Sequence, residues 1–338
     1  MLDIETIKKI DSSSMFQVYD NWAKIAKHTY ESDIKILEVK DIDHIVFVGM
    51  GGSGTIGDIF SSILSKTNIH VSIVKGYTLP KTIDKNSLVI FTSVSGNTLE
   101  TLSALKESLN FDCKTMSFSS GGIIEKFCAK NNLDYMRIKK YHSPRASLIS
   151  YLYSMLKIFE YVIPIEKNHV LDSIEQLEKL NKKISSKNLS DFNPAISLAN
   201  QISGIPLIYY PWGFQSVAIR FKNSLQENTK IHAITEDVVE ASHNGIVAWE
   251  KSSDVQPILL QGKDDHVKTL ERWRIFKTFF ETKNIKYLEV FSIEGNILSK
   301  IISLIYLLDY SSIYKAILSN IDPSPVKPIE YIKFNLKD

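Results

Sequence analysis

Residues 43–58 read DHIVFVGMGGSGTIGD. The apolar run Ile45 to Val48 has the length and composition of a buried parallel strand. It stops at the glycines Gly49, Gly51, Gly52 and Gly54, and the chain then enters the helix-like IGDIFSSIL. A strand that turns on glycines into a helix lets bare backbone N–H groups approach a ligand, at the positive end of the helix dipole. Such a turn is suited to a phosphate. The spacing of Gly49, Gly51 and Gly54 also fits the dinucleotide fingerprint, which needs a carboxylate at the end of the next strand to bind the ribose hydroxyls. That strand, HVSIV from His70, ends in Lys75 and Gly76, so NAD is not expected, and no Walker sequence is present.

A second turn follows one βα unit later. The strand Leu88 to Phe91 runs into Thr92, Ser93, Val94, Ser95, Gly96, Asn97 and Thr98, and then into the helical LETLSALKESL. A helix cap needs one hydroxyl. Here four stand within seven positions, a density that suits the oxygens of a phosphate monoester.

Outward from these turns, strands recur at Ile45, Val71, Leu88, Lys114 and Tyr135 with helical or loop segments between them, the alternation of a parallel three-layer α/β sheet. Met15 to Val39 reads as one covering helix ahead of the first strand. Lys140 to Ser147, KYHSPRAS, links two halves, 1–144 and 145–338. Ser143 and Pro144 have the chemistry of a helix start, which sets Arg145 in a first turn where the dipole disfavours a cation. An anion, from a ligand or a nearby carboxylate, should face it. Val170 to Lys187 reads as a solvated connecting helix. A second copy of the topology begins at Ile205 with the strand IPLIYY, the turn PWGFQS and the helix VAIRFKNSLQ, followed by strands at Ile231, Pro257 to Gln261 and Tyr287 to Phe291. The second turn lacks the glycine cluster of the first, so one phosphate site per chain is expected.

With 338 residues, 44% hydrophobic and 23% charged, the chain has the composition of a globular protein with a large core. Lys plus Arg 40 against Asp plus Glu 38 gives +2, without a long basic run, so no nucleic-acid partner is indicated. The start lacks the apolar segment of a signal peptide, and IISLIYLL from Ile301 is too short for a bilayer, so a cytoplasmic location away from membranes is expected. Cys113 and Cys128 are too few for a disulfide framework and read as core thiols.

Three positions in the second half could do chemistry. Glu227 follows a helix whose buried stripe is Val217, Phe221 and Leu225; a lone Glu at a helix end is most often solvated. His243 sits in VEASHNGIVAW, and an imidazole can exchange a proton near neutrality. In the tail DPSPVKPIEYIKFNLKD, Ile329, Ile332 and Leu336 form a helical stripe, and Lys333 shares that face, where it must snorkel or meet a buried partner. Lys327 and Lys337 read as surface charge.

GMGGSG followed by SVSGNTLET resembles the sugar isomerase (SIS) fold, which binds phosphosugars. QENTK (226–230), VEASHNGIVAW (239–249) and the C-terminal lysine segment are similar to its bifunctional phosphoglucose/phosphomannose isomerase branch. The likeness runs from about Ile45 to Lys333. It implies two SIS-type doubly wound units. It also implies an aldose–ketose isomerase that converts glucose 6-phosphate and mannose 6-phosphate to fructose 6-phosphate through a cis-enediol. By the same resemblance Glu227 is the general base, Arg145 stabilises the enediolate, and His243 and Lys333 open the ring. Gly52, Ser53, Ser93, Ser95 and Thr98 hold the phosphate. No metal or cofactor is called for, and a homodimer is implied in which His243 serves the neighbouring subunit. Gln226, Thr229 and Val239 stand where the family has Asn, Ala and Pro. Two other readings are a non-catalytic phosphosugar sensor and an amidotransferase-type amino-sugar isomerase. The first usually carries a DNA-binding domain; the second needs a nucleophilic N-terminal cysteine, and the first cysteine here is Cys113.

Overall fold

Among the described residues five strands are laid down before residue 140 and four after residue 204, and every pairing is parallel. The computed structural model describes residues 2–336, so Lys337 lies outside the described residues. The N-terminal helices α1 (Ile4–Ile10), α2 (Met15–Asp20) and α3 (Trp22–Glu31) lead into β1 (His44–Val48), α4 (Gly51–Leu64), β2 (His70–Val74), β3 (Ser87–Ser93), α5 (Leu99–Glu107), β4 (Lys114–Ser119), α6 (Gly122–Asn131) and β5 (Tyr135–Arg137). Three helices follow, α7 (Leu148–Ile158), α8 (Lys167–Ile184) and α9 (Pro194–Gln201). The second unit comprises β6 (Ile205–Tyr210), α10 (Gln215–Ser224), β7 (Ile234–Asp237), α11 (Val238–Ala241), β8 (Val255–Gln261), α12 (Val267–Thr282), β9 (Leu288–Phe291), α13 (Ile297–Leu318) and α14 (Lys327–Asn335).

The strand order β2-β1-β3-β4-β5 reverses direction between β1 and β3, and β7-β6-β8-β9 does the same beside β6. Because side chains alternate along a strand, Ile45 and Phe47 of β1 enter a central core while Val46 and Val48 pack on the other face with α5 and α6. The second sheet does likewise: Ile258 and Leu260 join the central core, and Tyr209 and Leu259 face Trp273, Phe276 and Phe280 of α12. The two sheets therefore share one apolar middle layer, with α3, α7, α8 and α13 in it.

Four expectations are corrected. Met15 to Val39 is two helices and an extended run: Asn21, at φ −104° and ψ 3°, breaks the helix and lets Tyr19 stack on Trp22 at 4.4 Å. The helix after the linker starts at Leu148 rather than at Pro144, so Arg145 lies in the preceding turn, where Ser147 N donates to the Ser143 carbonyl. Helix α8 is only half solvated, since Val170, Ile174, Leu177 and Ile184 are buried. Cys128 is buried as expected, but Cys113 is only partly so.

The apolar stretch at Ile301 belongs to α13, which by length and composition alone could cross a membrane. Here it is the central helix, with 83% of its apolar window buried. A single carboxylate, Asp309, stands fully buried in it, and a charge there needs a partner. Arg220 of α10 supplies it at 2.6 Å.

Candidate active site

Ligands of doubly wound sheets lie at the carboxyl edge where strand order reverses. In the first sheet that crevice is bounded by the β1–α4 turn and the β3–α5 loop. Met50 caps α4 without a side-chain hydrogen bond, which leaves the first N–H groups of a 14-residue helix uncapped at this edge. The turn is built on close approach: a Cβ on Gly54 would stand 2.7 Å from the Gly49 carbonyl oxygen, and Gly51 has φ +53°. Ser53 Oγ accepts from Val94 N at 3.3 Å and so ties the turn to the hydroxyl loop. Within that loop Ser93 Oγ lies 2.8 Å from Thr98 Oγ1 and accepts from Gly96 N at 3.1 Å, while Ser95 Oγ accepts from Asn97 N at 3.3 Å. Gly96 has φ +68° and is pressed on the Gly121 carbonyl, where a Cβ would meet oxygen at 1.7 Å. The expected phosphate residues Gly52, Ser53, Ser93, Ser95 and Thr98 thus line two adjoining turns, with Ser95 and Thr98 half-buried at the open side.

Against this crevice lies the end of α10. Ser62 Oγ of α4 donates to Ser216 Oγ at 3.3 Å, and Gly52 abuts Arg220, so α4 and α10 run antiparallel. The carboxyl edge of the first sheet consequently meets the foot of the second. There Leu225–Thr229 forms a π turn that extends α10 and buries Leu225, Asn228 and Thr229 while leaving Glu227 partly exposed. Glu227 Oε2 accepts from Arg145 Nη1 at 3.0 Å. Arg145 is 3% exposed. Its Nε donates to Asn228 Oδ1 at 2.9 Å, and its Nη2 to the carbonyls of Pro323 at 2.7 Å and Ser324 at 3.0 Å. The anion expected opposite Arg145 is, in this structure, the Glu227 carboxylate.

The segment 322–326 crosses this pair as a strap. Lys230 donates to the carbonyls of Glu227 and Pro325, and its ammonium pKa is lowered by burial and then by the nearby Arg145. Ser324 Oγ lies 3.2 Å from His142 Nε2 and donates to Asp11 Oδ1 at 3.4 Å. Burial lowers the His142 pKa and raises that of Asp11.

Two expected residues stand apart. From Glu227 the chain climbs β7 to reach His243 beyond the opposite end of the second sheet, and the ten residues of α10 plus the five of its π turn span about 20 Å of that distance. His243 is exposed there. Lys333 lies two turns into α14, which starts at the strap, but the helix has no buried residue: the stripe residues Ile329, Ile332 and Leu336 are 39%, 59% and 44% exposed. The expected buried stripe is therefore uncovered within one chain.

Residues that the motifs do not single out complete the frame. Asp309 receives Arg220, Ser224 and Tyr19, and Asn228 Nδ2 donates to Ser312 Oγ at 2.8 Å. A signal for the first pair is present in the sequence: one acid inside the apolar run of α13, and one arginine at the helical spacing of Val217, Phe221 and Ser224.

Residues 38–132 match the SIS domain, and residues 191–336 match the bacterial phospho-glucose isomerase C-terminal SIS domain. The chain is 31% identical to a bifunctional phosphoglucose/phosphomannose isomerase of Caldicellulosiruptor bescii, over 96% of this chain and 99% of that protein. A protein of the same description from Aquifex aeolicus is 30% identical, over 87% of this chain and 90% of its own length. Among solved structures, the C-terminal domain of glucosamine-fructose-6-phosphate aminotransferase from Francisella tularensis has a TM-score of 0.66 at 14% identity, covering 90% of this chain and 95% of that one. That last likeness is one of fold.

Proposed function

Because the chain belongs to the family of bifunctional phosphoglucose/phosphomannose isomerases, we propose that it interconverts glucose 6-phosphate and mannose 6-phosphate with fructose 6-phosphate in the crevice between the β1 and β3 turns. The observation that carries this reading is the Glu227–Arg145 pair, 3.0 Å apart, beside a helix N-terminus and a hydroxyl loop. The phosphate binds Gly52, Ser53, Ser93, Ser95 and Thr98, and this remote binding energy holds C1 and C2 against Glu227. The open-chain aldose loses its C2 proton to Glu227 as the C1 carbonyl oxygen gains a proton. The resulting cis-enediol then takes a proton at C1 as the O2 proton leaves. Arg145 stabilises the negative charge that develops on the oxygens.

Ring opening is assigned to His243 and Lys333. The topology that separates His243 from Glu227 supports a homodimer in which His243 serves the neighbouring site, and the uncovered apolar side chains of α14 are consistent with a second chain covering them. The two units are read as 1–144 and 145–338, and the enzyme as cytoplasmic. The test is a coupled assay of fructose 6-phosphate formed from both aldose phosphates, with and without a chelator. Turnover that persists with the chelator supports the metal-free route; sugar-phosphate binding without turnover would make the protein a sensor.

A further inference from the structure

Arg220 is almost fully enclosed, 2% exposed, two helical turns ahead of Glu227 on α10. Its Nε donates to both Asp309 oxygens at 3.2 and 3.1 Å. Nη2 donates to Asp309 Oδ2 at 2.6 Å, to the Arg145 carbonyl at 2.7 Å and to the Tyr19 hydroxyl at 3.4 Å. The third nitrogen, Nη1, has no hydrogen-bond partner among the described residues. It lies beside Gly52, 3.5 Å from where a Cβ would stand; the same point is 3.4 Å from Arg145 Cα and 3.5 Å from the Pro144 carbonyl oxygen.

A guanidinium has five N–H groups and no way to discard its charge, and Nη1, unlike the rest of the side chain, is not sealed from solvent, so its N–H groups are within reach of a ligand. Two of the five here face the turn at the start of α4. Asp309 fixes the guanidinium plane from behind, with Ser224 Oγ donating to Asp309 at 2.6 Å, so the two N–H groups are preorganised rather than free to swing. At the same Gly52 position they adjoin the backbone of Arg145, whose side chain holds Glu227.

From this geometry we infer that Arg220 is a further positioning residue of the site: its Nη1 donates to an anionic oxygen on the reacting end of the sugar phosphate, beside Arg145, and not to the phosphate. The inference rests on the isomerase reading above. It gives the site two guanidinium groups with distinct duties. Arg145 is held by Glu227 and the strap. Arg220 is locked to the central helix and holds the oxygen while charge develops, as a preorganised donor should.

The test compares wild type with Arg220→Lys, which keeps the charge but loses the fork. It adds the double variant Arg220→Met with Asp309→Leu, which removes both buried charges together and so avoids leaving one unpaired. For each folded variant, kcat and KM for fructose 6-phosphate are measured, with calorimetric affinities for inorganic phosphate and for 6-phosphogluconate, whose carboxylate puts negative oxygens at the reacting end. The expected result is a kcat lower by roughly 10²-fold or more with KM little changed. Affinity for 6-phosphogluconate should fall at least about tenfold while that for inorganic phosphate is kept, a selectivity that a general loosening of the fold would not produce. Unchanged kcat and 6-phosphogluconate affinity in either folded variant would overturn the inference, as would equal weakening of both ligands. If wild type itself fails to turn over any of the three sugar phosphates, the isomerase reading falls and this inference with it; an active wild type with unaltered variants sinks this inference alone.

Discussion

Replacing Glu227 with Gln separates proton transfer from every other job the side chain does. The carboxylate accepts one hydrogen bond from Arg145, at 3.0 Å, and its side chain is 25% exposed against 4% for the arginine's. The amide keeps an oxygen at the same reach but not the charge, so an ion pair becomes a hydrogen bond from a charged donor to a neutral acceptor and the nearly buried Arg145 loses its counter-ion, a loss of about 1–3 kcal/mol at this partly exposed pair. Arg145 retains Asn228, Pro323 and Ser324. For a chain of this size the melting temperature should fall by no more than about 4 °C. Catalysis should suffer far more, because an amide cannot take the C2 proton: kcat falls by about 10²- to 10⁴-fold while KM for fructose 6-phosphate holds. The coupled assay gives the first number. Loss of the substrate's C2 hydrogen to deuterated solvent, followed by NMR, gives a second that should fall in parallel, since both report the same enediol. Near-normal turnover and exchange in a folded variant would refute the assignment and move attention to Glu240.

The crowding at the glycine turn makes opposite predictions for neighbours: Gly52→Ala should fold with a near-native melting temperature, because its Cβ meets nothing closer than 3.4 Å, yet lose turnover; Gly54→Ala, at 2.7 Å from a backbone oxygen, should cost stability by about 1–3 kcal/mol. Ser95→Ala with Thr98→Ala should weaken sugar phosphates and inorganic phosphate alike in calorimetry, by about 1–3 kcal/mol; unchanged affinity removes them from the cradle. Mixing inactive His243→Ala chains with inactive Glu227→Gln chains should restore activity, and its absence after demonstrated subunit exchange would put His243 in cis or outside the reaction. His44, 6% exposed and 4.8 Å from the His70 ring, has a pKa held below the usual value by burial first and His70 second. The unfolded chain therefore binds a proton that the folded one resists, and stability falls as pH drops from about 6.5 toward the folded pKa; His44→Gln should shrink the difference in melting temperature between pH 5.5 and 7.5.

The central helix shows how a physical necessity can be written in the order of residues alone. An acid at 309 inside an apolar run and an arginine at 220 on an apolar stripe are each intolerable alone, so they require each other. What no periodicity states is that Arg220, so fixed, would also lie against Gly52, a residue 168 positions earlier by the sequence numbers.

Local chemistry determined the parallel strands and the two turns, because apolar runs, glycines and clustered hydroxyls act over a few residues; the reversal of strand order that makes a crevice came from the tertiary structure. It misjudges Asn21 and the start of α7, where stacking of Tyr19 on Trp22 and the turn at Ser143 to Ser147 override helix pattern. The stripe on α14 marks a face that needs a cover, but a hydrophobic period carries no information about which chain provides it. Only the tertiary structure decided that the two sheets meet edge to foot. That antiparallel packing of α4 on α10 brings Glu227 and Arg145 to the glycine and hydroxyl turns and sends His243 to the far end, since neither distance is set by anything nearer in sequence than the fold itself.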